Sequence, residues 1–238
     1  MIQQRHKINV AIDGPAGAGK STIARLVSKE LGYVYIDTGA MYRAVTLKAM
    51  EKQIPPNDEL KIVELTKQLD IELIATESGQ KVIVNGIDLT ESIRSNEINK
   101  QVSKFAGISK LREILVEKQQ QLASSKGVVM DGRDIATHVL PNAEVKIFLT
   151  ASVEERASRR YKEMLEKTPE LTITLEQLKN DISLRDQMDL ERTASPLKMA
   201  EDAIKVDSTN MTIVEVVQTI KELCIKKMGG DNHVIQNG

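Results

Sequence analysis

The tightest constraint on this chain is the run Gly14-Pro15-Ala16-Gly17-Ala18-Gly19-Lys20-Ser21, with Thr22 after it. A glycine, four residues and then Gly-Lys-Ser is the pattern of a phosphate loop, which needs a strand before it and a helix behind it. Both flanks fit. Ile8 to Ile12 is an apolar run of strand length, and Ile23, Leu26, Val27 and Leu31 fall on one helical face. Glycine at 14, 17 and 19 lets the backbone turn tightly and aim its N–H groups inward, at the positive end of the helix dipole. Lys20 supplies a point charge for the outer phosphates, and Ser21 offers a hydroxyl to Mg²⁺. Residues 14 to 22 are therefore expected to hold a nucleoside triphosphate. The remaining question is what receives its phosphate.

Bulk properties narrow the answer. A chain of 238 residues suits one α/β domain with inserted lobes. A net charge of −1 argues against a nucleic-acid or membrane-surface binder, so clustered arginine must serve a local purpose. Aromatic residues are 3% and Trp is absent, which leaves no stacking platform for single strands. Cys224 alone excludes an internal disulfide or a cysteine zinc site and suits a reducing cytoplasm. His6, His138 and His233 show no metal spacing. Met1 to Lys7 is polar, without the apolar core of a leader, and no apolar run approaches membrane-spanning length.

Along the chain, Gly32 suits a left-handed helix cap, and Tyr33 to Ile36 reads as a second buried strand, ending at Asp37-Thr38-Gly39. A helix from about Ala40 to Gln53 carries Tyr42 and Arg43 in its first turns. Pro55-Pro56 breaks it, and Asn57 is placed to cap a helix bearing Leu60, Val63 and Leu69. From Asp70 the period changes to two. Asp70–Ala75, Lys81–Val84 and Ile87–Leu89, joined by turns at Ser78-Gly79 and Asn85-Gly86, predict a small antiparallel sheet. Ser95 and Ser109 are placed to cap two helices, the first with Ile98, Val102 and Phe105 inward, the second with Leu111, Ile114, Leu115 and Leu122. Gly127–Asp131 and Val145–Leu149 are buried strands. Ser152 to Glu155 and Thr174 to Gln177 are capping boxes opening two further helices. The first has Arg159 and Arg160 near its end, before a Thr168-Pro169 loop running to Thr172. The second has Arg185, Asp189 and Arg192 and ends at Ser195-Pro196. Ala203–Val206 is the last strand, followed by Asp207-Ser208-Thr209-Asn210 and a helix from Thr212 with Val216, Val217, Ile220 and Leu223 inward. Residues 229–238 are expected to be a disordered tail. Five core strands alternating with helices predict a parallel, three-layer α/β sheet with function gathered at the strand carboxyl ends.

Those ends carry the chemistry. Phosphoryl transfer is positioning plus charge neutralisation, and arginine meets two phosphate oxygens with one planar fork. Arginines stand at 43, 112, 133, 156, 159, 160, 185 and 192. Any one of them taken singly is as well explained by a solvated surface position. Arg133 stands apart, because Asp131-Gly132-Arg133-Asp134 directly follows a buried strand. Asp131 either positions Mg²⁺ or caps a loop; Asp37 has the same two readings. Asp134 is a candidate for hydrogen bonds to a base or ribose. Arg159 and Arg160 belong either to a lid over the donor phosphates or to a charged helix face. Arg185, Asp189 and Arg192 form either a surface ion-pair ladder or a clamp on a sugar and a phosphate. Tyr42 packs or lines the acceptor site, and His138 is structural.

Taken together, Gly-Pro-Ala-Gly-Ala-Gly-Lys-Ser-Thr (14–22), Asp-Thr-Gly-Ala-Met-Tyr-Arg (37–43), Asp-Gly-Arg-Asp (131–134) and Arg185/Asp189/Arg192 closely resemble the bacterial cytidylate kinase family, up to about Lys227. The resemblance implies a P-loop nucleoside monophosphate kinase fold with an inserted monophosphate-binding lobe and a short lid. Residues 1–37, 127–155 and 193–228 would form the core, 38–126 the acceptor lobe with its small sheet at about 65–105, and 156–192 the lid and flanking helices. ATP with Mg²⁺ would phosphorylate CMP or dCMP, in a monomer. Ser103, Arg112 and Asp134 would hold cytosine. Arg185 and Asp189 would hold the sugar, and Arg43, Arg133 and Arg192 the acceptor phosphate. Thr38 matches a serine or threonine position of the family, Arg159 and Arg160 match arginines that neutralise the transferring group, and Asp207–Asn210 resembles a loop near the donor adenine. With the phosphate loop, Lys20, Arg133, Arg159 and Arg160 become the catalytic candidates, and Ser21 with Asp131 the metal candidates.

Two alternatives differ in chemistry. One is a phosphate-loop kinase for another small acceptor such as UMP or shikimate; the inserted lobe with Arg112 and Asp134 argues against it. The other is a nucleotide switch, but a guanine-specific switch would carry Asn-Lys-x-Asp after a late strand, where this chain has Asp207-Ser208-Thr209-Asn210. For any kinase reading, Lys20→Ala should lower turnover by orders of magnitude, as when transition-state charge loses a cation. Near wild-type turnover would refute the role of Lys20.

Overall fold

The computed structural model describes residues 6–76, 79–167, 170 and 173–229. Met1 to Arg5, Ser78 of the expected turn, the Thr168-Pro169 interruption with Thr172, and the tail beyond Gly229 lie outside them. In chain order the core elements are β1 (Asn9–Asp13), α1 (Lys20–Leu31), β2 (Val34–Asp37) and α2 (Thr38–Glu51). Then come α3 (Glu59–Gln68), β3 (Ile71–Thr76), β4 (Gly79–Val84), β5 (Ile87–Asp88), α4 (Asn96–Ala106) and α5 (Ser109–Ala123). The chain closes with β6 (Val128–Gly132), β7 (Val145–Thr150), α6 (Val153–Lys167), α7 (Leu175–Glu191), β8 (Ile204–Asp207) and α8 (Ile213–Met228).

Five strands pair in parallel in the order β2-β6-β1-β7-β8. A strand buried at every position needs cover on both faces, and β1, apolar from Val10 to Ile12, has it. Val10 and Ile12 pack with Ile23, Val27, Val216 and Ile220 of α1 and α8. Ala11, between them, faces Met130, Ala123 of α5, and Ile135 and Val139 beyond β6. The result is the expected three-layer α/β sheet. The second strand departs from expectation: β2 is an edge strand, and Val34 is 48% exposed.

Between β2 and β6 the chain builds a second core. The antiparallel sheet β3-β4-β5 forms as its alternation predicts, with Asn85 at φ 50 in the Asn-Gly turn. Its inner residues Val82 and Val84 pack with Ile62, Val102, Phe105, Leu111 and Leu115 from α3, α4 and α5. The α6–α7 hairpin has a small cluster of its own around Ala157, Leu178 and Ile182.

Helix ends show where local reading fell short. Asp58, not Asn57, caps α3 by accepting from Lys61 N–H, and Leu60 points outward, 78% exposed, because Ile62, Leu65 and Thr66 take the inner face. Ser109 lies inside α5 and caps nothing; Ile108 precedes it, and Leu122 is exposed where Gln119 and Ala123 are buried. Ser152 caps α6 through Glu155 N–H, but the Glu155 carboxylate accepts from Arg159. Arg159 and Arg160 sit mid-helix, since α6 runs on to Lys167. The boxes at Thr174 and Thr212 are complete.

Two glycines separate two causes of intolerance. Gly32 ends α1 at φ 68 with open space where a methyl group would stand, so only backbone strain opposes a side chain. Gly14 has φ 149, and a Cβ there would lie 1.9 Å from the Leu149 carbonyl oxygen of β7. Gly32→Ala should cost about 1 kcal/mol in urea unfolding, the usual left-handed penalty. Gly14→Ala should cost roughly 3 kcal/mol or more, since β7 backbone must move. Equal losses would contradict the close approach of the loop to β7.

Candidate functional site

One cleft of about 1070 Å³ opens over the carboxyl ends of β1, β2 and β6 and collects side chains from α2, α4, α5, α6 and α7. Its walls include Ala16 to Thr22, Thr38, Tyr42, Arg43, Ser103, Arg112, Asp131, Arg133, Asp134, Arg159, Arg160, Arg185, Asp189 and Arg192. Of the phosphate-loop residues, Gly14 and Pro15 stand back from it; so does Arg156, and of Asp207–Asn210 Ser208 alone lines it. Gly14 and Pro15 set the shape of the loop from behind.

The phosphate loop is held from beneath by the α6–α7 hairpin. Arg156 donates to the carbonyls of Ala151 (2.9 Å) and Ala16 (2.7 Å) and pairs with Asp186 at 2.6 Å. Asp186 in turn accepts from Ala16 N–H at 2.9 Å. Both polar backbone groups of Ala16 are thus committed to protein, and the nest must draw on its other amides. Lys20 is buried, with its ammonium donating to the Pro15 carbonyl at 2.7 Å. Burial, and after it the Arg133 charge, push its pKa well below the ordinary lysine value.

At the start of α1, Ser21 Oγ donates to one oxygen of Asp131 (3.0 Å) and Tyr35 OH donates to the other (2.9 Å). Burial, and next the neighbouring Asp37 charge, push Asp131 up to about 6. Asp37 and Asp131 are register partners on β2 and β6, which is why their charges meet. Asp37 caps α2 through Ala40 N–H and pairs with Arg43 at 2.6 Å. Thr38 Oγ1 donates to the Asp131 carbonyl at 2.7 Å. Among the described residues no cluster of three or more carboxylate, imidazole or thiol groups forms a self-sufficient metal site.

Cations gather across the cleft. Arg133 pairs with Asp189 at 2.7 Å. Arg185 has a buried Nε without a hydrogen-bond partner, and so does Arg43. Burial, then the charges of Arg133, Arg43 and Arg160, press the Arg185 guanidinium down to about 9, despite the opposing pull of Asp189. Arg160 thus belongs to this cluster. Arg159 does not: it donates to the Ser208 carbonyl (2.6 Å), to Ser208 Oγ (3.1 Å) and to Glu155 (2.8 Å), away at the β8 end.

At the far wall Arg112 and Asp134 are both buried and joined by a short ion pair. Arg112 also donates to the Ala106 carbonyl at 3.1 Å and lies over the Tyr42 ring, 5.2 Å from its centroid. Arg192 approaches the other Asp134 oxygen at 3.6 Å and donates to the Ser195 carbonyl at 2.6 Å. Arg112 Nε, one Arg192 nitrogen and Tyr42 OH are buried without hydrogen-bond partners. Arg185 therefore stands with Arg43, Arg133 and Arg160, and Arg192 with the Arg112–Asp134 pair. Tyr35 and Asp186 carry little signal in the sequence, the one a polar residue within a strand and the other an acid three before Asp189, and nothing local marks the bracing role of Arg156.

A five-stranded parallel sheet with a phosphate loop on its middle strand and an arginine-lined cleft above defines a phosphate-loop kinase. The family model for cytidylate kinase matches residues 10–226, and the chain belongs to that family. A cytidylate kinase of Bacillus subtilis (strain 168) is 55% identical over 221 residues, 93% of this chain and 98% of that protein. One from Caldicellulosiruptor bescii is 53% identical over 220 residues, 92% and 96% of the two chains. One from Geobacillus sp. (strain WCH70) is 52% identical over 225 residues, 94% and 100%.

Arg185 is the least compensated of these cations, so it should weaken the free protein and strengthen anion binding. Arg185→Met should raise free-protein stability by roughly 1–2 kcal/mol, as replacing a buried uncompensated charge does. It should also shrink the rise in melting temperature that inorganic phosphate gives the wild type. A destabilised variant with an intact phosphate response would remove Arg185 from the anion cluster.

Proposed function

We propose that this kinase transfers the γ-phosphate of ATP to CMP and dCMP, with Mg²⁺, in the cleft between the phosphate loop and the Arg112–Asp134 pair. The observation that carries the acceptor assignment is that buried pair, with its unused Arg112 N–H, at the end of the cleft opposite the loop. Cytosine presents an amine donor beside two acceptors. A carboxylate accepts from the amine, and a guanidinium donates to the acceptors. Uracil reverses the amine position and would leave Asp134 unmatched at a buried site. Ser103 on the facing wall of α4 completes the base pocket, and Tyr42 floors it beneath Arg112.

The acceptor phosphate goes to Arg43, Arg133 and Arg185, with Arg192 reaching it or the sugar from the base side, and Asp189 takes sugar hydroxyls while holding Arg133. No general base is needed, because the attacking oxygen is already anionic. In-line transfer then depends on two phosphates being held close against their repulsion. Lys20, Arg133 and Arg160 neutralise the moving charge. Arg159, bound to Ser208, serves the donor-base end, where Met211, Ile213 and Val216 line the cleft. Ser21 and Asp131 fit Mg²⁺, which usually takes one or two protein oxygens and completes its shell with phosphates and water. When bound, it would neutralise charge on the donor phosphates. On this reading residues 38–126 are the acceptor lobe and 156–192 the lid with its flanking helices, on a core of 1–37, 127–155 and 193–228.

A coupled ADP-release assay over CMP, dCMP, UMP, AMP and shikimate tests the assignment. CMP and dCMP should turn over well and the others poorly; equal rates with CMP and UMP would overturn it. Asp134→Ala should lower the CMP-to-UMP ratio of kcat/KM by about tenfold or more, the usual worth of a bidentate base contact, with KM for ATP little changed.

A further inference from the structure

The last residue of β1, Asp13, has no place in the reaction as described, yet it is buried and ionisable, and it immediately precedes the phosphate loop. Its side chain does not point at the cleft. It reaches past the end of β6 and accepts from Ile135 N–H with one oxygen and Ala136 N–H with the other, both at 2.8 Å. Those amides open a single π-helical turn, Ile135–Val139, closed by Val139 N–H to the Asp134 carbonyl (3.2 Å) and Leu140 N–H to the Ile135 carbonyl (2.6 Å). The first amides of any helical turn lack partners within it. No side chain of the turn's own N-cap, Asp134, serves them, because the Asp134 carboxylate is turned away to Arg112. Asp13 performs that capping from another strand.

The conformation held this way is an unusual one. Asp134 sits at φ −145, ψ 27, between the strand and helical regions, and wide turns of this kind cluster at functional sites. The aim of the Asp134 side chain follows from that backbone. Burial pushes Asp13 up to about 7, with the Asp134 charge raising it and the Lys20 charge lowering it. One carboxylate on the central strand therefore stands between the two halves of the site.

We propose that Asp13 is a positioning residue for acceptor specificity: by capping the Ile135–Val139 turn it fixes Asp134 against the acceptor base, in register with the phosphate loop that begins at the next residue. This rests on Asp134 reading the base, as proposed above. The mechanism is local. Loosening the turn lets Asp134 swing, which harms recognition of the acceptor amine while leaving the triphosphate loop and its lysine in place.

The test uses Asp13→Asn, which keeps the size and one acceptor but sets an NH₂ against the second amide, together with Asp134→Ala and the double variant. Asp13→Asn should raise KM for CMP at least fivefold and lower the CMP-to-UMP ratio of kcat/KM by a similar factor, with KM for ATP within twofold of wild type. In the Asp134→Ala background the same substitution should leave that ratio unchanged. If Asp134→Ala lowers the ratio but Asp13→Asn does not, the positioning role is wrong and base reading stands. If Asp134→Ala leaves the ratio intact, base reading itself fails. A rise in KM for ATP equal to that for CMP would make Asp13 a general brace of the loop and overturn the proposal. Hydrogen exchange on the wild-type protein needs no variant to fold: the Ile135 and Ala136 amides should be protected without nucleotide, and exchange at open-loop rates would overturn the capping.

Discussion

Several cations are packed into one largely buried cleft, and their mutual repulsion is what the surrounding structure contains. Four arginines in and beneath it each have a carboxylate assigned to them. Asp37 holds Arg43, Asp189 holds Arg133, Asp134 holds Arg112, and Asp186 holds Arg156 beneath the loop. Arg185 has no such ion pair among the described residues and bears the depressed pKa that follows from burial among like charges. Removing charges from water is costly unless they are paired and hydrogen-bonded. The elements that supply the carboxylates are therefore tied to the site as firmly as those that supply the arginines. On the proposed function a dianionic phosphate would relieve the repulsion that remains, so that binding would draw on strain already present in the free protein.

The parallel sheet determines where this happens. Each of the three neighbouring strands beneath the cleft carries an acid at its carboxyl end: Asp13 on β1, just before the phosphate loop, Asp37 on β2, and Asp131 on β6. The acids are then divided by what lies next to them. Asp37 turns to a helix cap and an arginine, Asp131 to two hydroxyls, and Asp13 to two amides. Three carboxylates at neighbouring strand ends have three separate structural tasks because their first hydrogen-bond donors differ.

Much of this was legible in sequence, and the parts that were not share a cause. The phosphate loop, the five core strands and the inserted sheet announced themselves through local spacing, which needs no knowledge of the rest of the chain. Arg112 and Asp134 were visible as candidates, but their pairing across the α5–β6 connection was not. Arg185 and Arg192 lie on one helix face by spacing, yet the structure divides them, Arg185 standing with Arg43 and Arg133 and Arg192 with the Arg112–Asp134 pair, because Arg192 is already at the cap of α7. The errors at Asn57, Ser109 and Leu122 were choices between adjacent residues, settled by which one the tertiary packing turned inward. Asp13 could be read only as the end of an apolar run, because both of its partners lie more than a hundred positions away.

The pairing of β2 with β6 spans the whole acceptor lobe: Thr38 and the Asp131 carbonyl it bonds are 93 positions apart. Joining the ends of so long a segment is less costly than its length suggests, since each doubling of a flexible loop adds only about 0.6 kcal/mol. The lobe also has a core of its own, which shortens the effective span once it has collapsed. The burden of inserting a lobe into a sheet therefore falls on speed more than on stability, because distant pairings slow folding while local ones hasten it. Asp37 and Asp131 become neighbours only through that long-range pairing, which also brings Ile36 onto Met130, so the charge conflict at the centre of the site and the apolar contact that offsets it are set by the same closure.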